Sequence, residues 1–204
     1  MNSSATFVLL AALLGAQAPT TRPGTCESFG HRAYVAAASS ELEAIGRYRK
    51  TKRTVYLHAR ARAAYEQMRE AAARDGVTLV PISGFRSYAY QGELFKLAVK
   101  KYGSEASAAR WVAPAGCSEH HTGLALDIGD LSRPACDTNP CFEKTKTYEW
   151  LVANAVRFGF ELSFSAASEQ VVFESWHWRF VGDDPSPPRP RPAGKTPSVS
   201  ARPK

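Results

Sequence analysis

The 204 residues, 44% hydrophobic and 11% aromatic, suffice for one domain with a buried core and call for no second one. The net charge of +7 is spread along the chain, from Arg47 to Arg53 and into the C-terminus, and is not gathered in one dense block. Such a balance favours anionic surroundings such as a cell wall or membrane surface, and with no helix-turn-helix, RNA-binding or zinc-finger signature it gives no nucleic-acid partner.

At the N-terminus the apolar stretch Ala5–Ala16 leads into Ala16-Gln17-Ala18, the small-x-small pattern that signal peptidase cleaves. Residues 1–18 are therefore expected to be a signal peptide and the chain to be exported to the periplasm, cell wall or exterior. The apolar run is too short to span a bilayer, and Met1-Asn2-Ser3-Ser4 lacks the positive charge that usually opens such a segment. Residues 19–40, rich in Thr, Pro, Gly and Ser, read as a leader with no strand or helix of its own, and the domain is placed at 41–182.

Within that domain Leu57, Ala61, Ala64, Met68 and Ala71 recur at helical spacing, with Gly76 where a helix would stop. Val77–Ile82 reads as a buried strand, Tyr90–Tyr102 as an amphipathic helix closed by Gly103, and Ser104 as the cap of a short helix ending near Trp111. In the strand Leu124–Ile128 the side chains of Leu124, Leu126 and Ile128 share one face, which aims Asp127 away from the core. A helix over Tyr148–Phe158 capped by Gly159 and strands over Phe160–Phe164 and Val171–Val181 complete the domain. Helices and strands segregate, which predicts an α+β fold with a small, mainly antiparallel sheet and flanking helices. Residues 183–204, with Pro185 to Pro192 alternating Pro, Ser and Arg, cannot bury enough apolar surface to order and read as a disordered basic tail.

Four cysteines, an even number, suit disulfides in an oxidising compartment. Cys136 and Cys141 flank a tight Pro- and Asn-containing loop, so the expected pairs are Cys136 with Cys141 and Cys26 with Cys117.

The chemistry is carried by three segments: Ser83-Gly84-Phe85-Arg86-Ser87, Ser118-Glu119-His120-His121-Thr122-Gly123-Leu124-Ala125-Leu126-Asp127, and Glu174-Ser175-Trp176-His177-Trp178-Arg179. A His in a turn, a Gly that lets the backbone bend, and a strand presenting Asp127 supply imidazole and carboxylate ligands that suit zinc. His177 adds a third protein ligand and leaves a fourth position open, as catalytic sites do. Glu174 stands three residues before His177, so in one straight strand the two would point to opposite faces. A bulge or turn near Ser175 is predicted to bring both into one cleft. Arg86 and Arg179 are the cations in these segments that could meet a free carboxylate of a substrate. Trp176 and Trp178 flank His177 as cleft-lining or packing residues.

The pattern Ser-x-His-x-x-Gly-x-Ala-x-Asp followed by Glu-x-x-His resembles the D-alanyl-D-alanine carboxypeptidase and dipeptidase family of the vancomycin-resistance type, which shares its fold with the Hedgehog signalling domain. The likeness covers roughly residues 50 to 182. It implies Zn2+ held by His120, Asp127 and His177, and Glu174 as the base that takes a proton from water. It also implies that Arg86 contacts substrate or the developing oxyanion, and that Ser118 and Gln91 are polar pocket residues. The expected substrate is a peptidoglycan stem peptide losing its terminal D-alanine, and the expected state is a monomer. An L,D-carboxypeptidase, an endopeptidase of the same fold and a zinc-holding binding module without turnover are the alternatives; Glu174 argues against the last, since a module that only binds needs no base. His121 in place of His120, and a structural zinc site on Cys117-x-x-His120 with Cys136 or Cys141, are the competing ligand sets. His31 and His58 read as hydrogen-bonded structural residues.

Overall fold

Helix α2, Ala59–Arg74, buries Ala61, Tyr65, Met68 and Ala72, residues three or four apart that share one face. Ala64 and Ala71, expected in this stripe, lie on its flank and are only partly buried. Leu57, expected in the same helix, belongs instead to strand β2, Thr54–His58, which pairs antiparallel with β1, Leu42–Arg47. This hairpin was not read from the sequence. Its signal is only two residues long, Val55 and Leu57 alternating with more exposed neighbours, and the helical spacing that follows absorbs Leu57. His58 closes the strand and caps α2, its Nδ1 accepting from Arg60 N–H at 3.2 Å, the structural role expected of it.

The computed structural model describes residues 25–164 and 170–182; the expected signal peptide and tail lie outside the described residues. The second sheet has the order β3-β4-β6-β5, all antiparallel, with β3 at Leu79–Ser83, β4 at Ala125–Asp130, β5 at Phe160–Leu162 and β6 at His177–Phe180. Leu126, Ile128, Phe160 and Trp178 join the core built on α2. Because side chains alternate along a strand, the opposite face carries Asp127 and His177, which are directly paired across β4 and β6. Ser83 pairs with Asp127 from the other side, just past a register shift that follows Pro81. Pro81 is tolerated because β3 is an edge strand. Asp127 does face away from the core, but it is not open to solvent: loops roof that face and leave it 2% exposed.

Helices α3, Tyr88–Tyr102, α4, Glu105–Ala109, and α5, Lys146–Asn154, flank the sheets. Gly103 ends α3 in the left-handed conformation, Ser104 caps α4 by accepting from Ser107 N–H, and Gly159 follows the turn that extends α5, all as expected. The expected strand over Val171–Val181 is confined to β6. Before it the chain turns, with His177 N–H donating to Glu174 O at 3.1 Å, and this is the turn that the Glu174–His177 spacing predicted. Among the described residues no helix is long and apolar enough to cross a membrane.

The expectation of a structureless leader through residue 40 is corrected from Thr25 onward. Thr25–Ser28 forms one helical turn, α1, and Cys26 is joined to Cys117 across a separation of 91 residues. His31 is buried with Nε2 at 2.8 Å from Ala109 O, and Tyr34 and Ala37 N–H groups donate to Gly116 O and His121 O. The segment is a strap laid on the domain, held by one covalent link and by backbone bonds that no sequence periodicity announces. The other disulfide is Cys136–Cys141, so both expected pairs are present, and with no free thiol among the described residues a cysteine zinc site has no ligands.

Candidate metal centre

The centre is built first by close backbone packing. Gly84 lies so near β2 that a Cβ there would collide with Tyr56 O, the oxygen to which Phe85 N–H also donates at 2.7 Å. That approach aims Gly84 O at the next loop, where it accepts from His120 Nδ1–H at 2.7 Å. His120 sits in a short helical turn, Glu119–Thr122, capped by the Ser118 hydroxyl and closed by Gly123 at φ +67°. With its proton on Nδ1, the imidazole turns the Nε2 lone pair toward Asp127, 3.3 Å from Oδ2.

His177 meets the same carboxylate from the other side. Its Nδ1 lies 3.0 Å from Asp127 Oδ1 and its Nε2 lies 2.9 Å from Glu119 Oε2. Glu119 is only 8% exposed; its Oε1 accepts from Arg179 at 3.0 Å and from the Tyr34 hydroxyl at 3.1 Å. The Glu119 carboxylate thus takes the His177 Nε2–H and leaves Nδ1 to face Asp127. His120, Asp127 and His177 each bring one ligand-type atom to a single point, all within 4.8 Å of one another. Zinc bonds of about 2.0–2.1 Å in a tetrahedral site put neighbouring donors roughly 3.3–3.4 Å apart. The 3.3 and 3.0 Å separations run to the two oxygens of Asp127, and with all three ligand atoms within 4.8 Å of one another, two imidazoles and a carboxylate form a donor set that suits a zinc-class ion.

The electrostatics follow from burial and these bonds. Burial would lower His177, but hydrogen bonds and charge from Asp127 and Glu119 outweigh it and raise the imidazole to about 10. Burial, with the Arg86 charge, lowers His120 to about 4, so it stays neutral with its lone pair free. Burial opposes ionisation of Glu119, yet His177, Ser163 and Arg179 bring it down to about 2. Asp127 is likewise held well below the usual carboxylate range, against burial, by His120 and Arg86. Glu174 behaves in the opposite way: burial, aided by the charges of Asp127 and Glu119, pushes it up to about 7 against His177 and Arg86.

A cleft of about 750 Å³ holds these residues together with Arg86, Gln91, Ser118, Trp176 and Arg179, so every residue expected at the site lines one cavity. Arg86 is more committed than expected. It donates to Asp127 Oδ2 at 2.5 Å and to Ser83 Oγ at 2.8 Å, and lies 3.5 Å from Gln91 Oε1. Gln91 is buried, its amide donating to Ala113 O at 2.7 Å. Arg179 is paired with Glu119 and with Glu161, the latter at 2.6 Å across β5 and β6. Trp176 and Trp178 both belong to the hydrophobic core, and Trp176 also borders the cleft. His121 has spent both nitrogens on backbone, Nδ1 toward Arg86 O at 2.7 Å and Nε2 accepting from Gly116 N–H at 3.0 Å. It is therefore not part of the cluster.

Two residues escaped the sequence reading. Glu119 stands inside the segment singled out for its histidines, but nothing in its spacing tells a carboxylate that orients a ring from a surface acid. Tyr34 lies in the strap, more than eighty positions from its partner. The only sequence signal for either is a Glu next to a ligand-type His, which is weak by itself.

Residues 54–183 match the family described as VanY, D-alanyl-D-alanine carboxypeptidase. The YodJ protein of Bacillus subtilis is 36% identical over 130 residues, covering 62% of this chain and 47% of that protein. The chain spans about half the length of the curated relatives it matches. Among solved structures, the LdcB LD-carboxypeptidase superposes with a TM-score of 0.64 at 31% identity, over 72% of this chain and 71% of that one. A variant of the vancomycin-resistance D,D-pentapeptidase VanY, crystallised with Zn(II), gives a TM-score of 0.57 at 28% identity, over 74% and 85% of the two chains.

Proposed function

This chain belongs to the VanY family of D-alanyl-D-alanine carboxypeptidases, and from that premise we propose that it is a zinc-dependent carboxypeptidase that removes the terminal D-alanine from peptidoglycan stem peptides. The observation that carries the reading is the convergence of His120 Nε2, Asp127 and His177 Nδ1 on one point in a cleft that also holds Glu174. His120, Asp127 and His177 are the ligands in this reading. A zinc ion held there supplies Lewis acidity toward water and toward a carbonyl oxygen.

The remaining work falls to the chain's own groups. Glu174 is not a ligand in this reading; its carboxylate accepts the proton of the attacking water and returns it to the leaving amine, a task suited to a group poised near neutral pH. Arg86 locks Asp127 in place and presents its remaining N–H groups to the cleft, where they stabilise the oxyanion or the substrate's terminal carboxylate. Ser118, Gln91 and Trp176 shape the pocket around the peptide end. Arg179, already shared between two glutamates, serves the centre by holding Glu119.

Two disulfides and a wall polymer as substrate support a site of action outside the cytoplasm, in line with a signal peptide over residues 1–18. The likeness to LdcB favours a second reading, an L,D-carboxypeptidase acting on shortened stems, with the same centre. The test is mass-spectrometric detection of D-alanine released from purified pentapeptide and tetrapeptide muropeptides. Zinc-loaded protein, chelated protein and Glu174→Ala are run side by side. Release from the pentapeptide that needs both metal and Glu174 supports the first reading, and release from the tetrapeptide alone supports the second. No release from either, with metal bound, overturns both.

A further inference from the structure

The strap is fastened where the metal centre needs it. Cys26 is bonded to Cys117, two residues before Glu119, while Tyr34 N–H donates to Gly116 O at 2.8 Å and Ala37 N–H to His121 O at 2.8 Å. The Tyr88 hydroxyl takes Ala36 N–H at 2.8 Å and donates to Tyr34 O at 3.1 Å. The disulfide and the Tyr34 and Ala37 N–H bonds, none of which involves Tyr88, already hold the strap on both sides of Tyr34, and its ring lines the cleft with the hydroxyl 3.1 Å from Glu119 Oε1. The two oxygens of Glu119 divide their labour: Oε1 takes Tyr34 and Arg179, and Oε2 takes His177. Arg179 is shared with Glu161, whereas the Tyr34 hydroxyl is given to Oε1.

We propose that Tyr34 is a positioning residue of the metal centre: its hydroxyl fixes the rotation of the Glu119 carboxylate, which holds His177 Nε2–H and so keeps His177 Nδ1 aimed at the metal point. The inference rests on the zinc reading above and extends it to a segment outside the matched family region of residues 54–183. The hydroxyl reaches the metal point only through two hydrogen bonds, to Glu119 and from Glu119 to His177, and is no ligand itself. Its contribution is to the order of His177, which sets metal affinity and ligand-field geometry before any chemistry occurs.

The experiment uses the full chain and compares wild type, Tyr34→Phe and Tyr88→Phe. Zinc affinity is measured by chelator competition, the visible spectrum is recorded after Co(II) substitution, and thermal unfolding is followed in the metal-free state. Tyr34→Phe is expected to bind zinc about tenfold more weakly, the low end of the effect of losing an outer hydrogen-bond partner of a ligand. It is also expected to shift the Co(II) bands while the metal-free transition stays near that of wild type. Tyr88→Phe removes bonds to the strap without touching Glu119 and is expected to keep wild-type affinity and spectrum. Equal zinc affinity and spectrum in wild type and Tyr34→Phe would overturn the assignment. So would equal losses in both variants, which would mean that strap packing matters and the hydroxyl does not. A wild-type chain that binds no zinc would sink the metal reading itself, and this inference with it.

Discussion

Glu119→Gln is the substitution on which the geometry of the centre can be tested most directly. The wild-type carboxylate accepts from His177 Nε2–H, Arg179 and the Tyr34 hydroxyl, and Ser163 bonds to it as well, in a site where Glu119 is 8% exposed. An amide offers one oxygen and an NH2, so at least one buried donor must face another donor or lose its partner. An unsatisfied buried group costs about 1–3 kcal/mol. The most damaging arrangement puts the NH2 against His177, because it turns the ring or its tautomer and withdraws Nδ1 from Asp127. Loss of such an outer partner typically weakens metal binding by about 10–100-fold, equivalent to roughly 1.4–2.7 kcal/mol. Zinc affinity at pH 7.5, from competition with a chromophoric chelator, checks this, with circular dichroism to confirm the fold. A variant that binds zinc as tightly as wild type would refute the argument that Glu119 orients His177, whatever happened to activity.

Glu174→Ala is expected to lower turnover by about 10²–10⁴-fold with zinc affinity retained, because general-base catalysis contributes on that scale and Glu174 is no ligand in the proposed site; equal loss of metal would contradict that division of roles. Gly84→Ala forces a Cβ against Tyr56 O and displaces the carbonyl that holds His120, so both the melting temperature and the zinc affinity should fall, and an unchanged melting temperature would show that β2 yields without cost. Removing Cys26–Cys117, which spans a separation of 91 residues, is expected to cost about 4.6 kcal/mol, against about 2.2 kcal/mol for Cys136–Cys141 with its separation of 5, by loop-closure entropy. Urea unfolding of the two Cys→Ser double variants reads the order directly. Asp130 is held below the ordinary carboxylate range because bonds from Ser132, Thr147 and Arg133 outweigh the opposing effect of burial. A depressed native pKa stabilises the fold above the unfolded value near 4 and loses that stability as pH falls through the native value. Asp130→Asn should therefore lie about 1–2 kcal/mol below wild type at pH 7 and converge with it in acid; a gap unchanged between pH 7 and pH 2.5 would argue against this role.

Much of this molecule was legible because the relevant physics is local. Gly103 and Gly159 end helices where only a left-handed residue fits easily, and Ser104 caps α4 from its own side chain. Leu126 and Ile128 alternate with Asp127, so the face that carries the carboxylate follows from strand geometry alone. The Glu174–His177 spacing demanded a turn, and the turn is present. What misled the reading was also local. Leu57 fits both the period of two in β2 and the helical period of α2, and one side chain cannot report which ladder of backbone hydrogen bonds it joins.

Residue types and spacing by themselves determined the α+β class and three ligand-type side chains with a glutamate nearby, since these depend on backbone periodicity and donor chemistry; four cysteines allow three pairings, and the structure selected the expected one. Only the tertiary structure decided which nitrogen of each histidine is free, that His121 is spent on backbone, that Arg86 is bound to Asp127, and that Glu119 and Tyr34 stand behind His177. The reason is that a hydrogen bond between residues far apart in the chain has no period and no spacing. It exists only when the sheet register, the Cys26–Cys117 link and the roofing loops bring two polar groups to one place from which water is excluded.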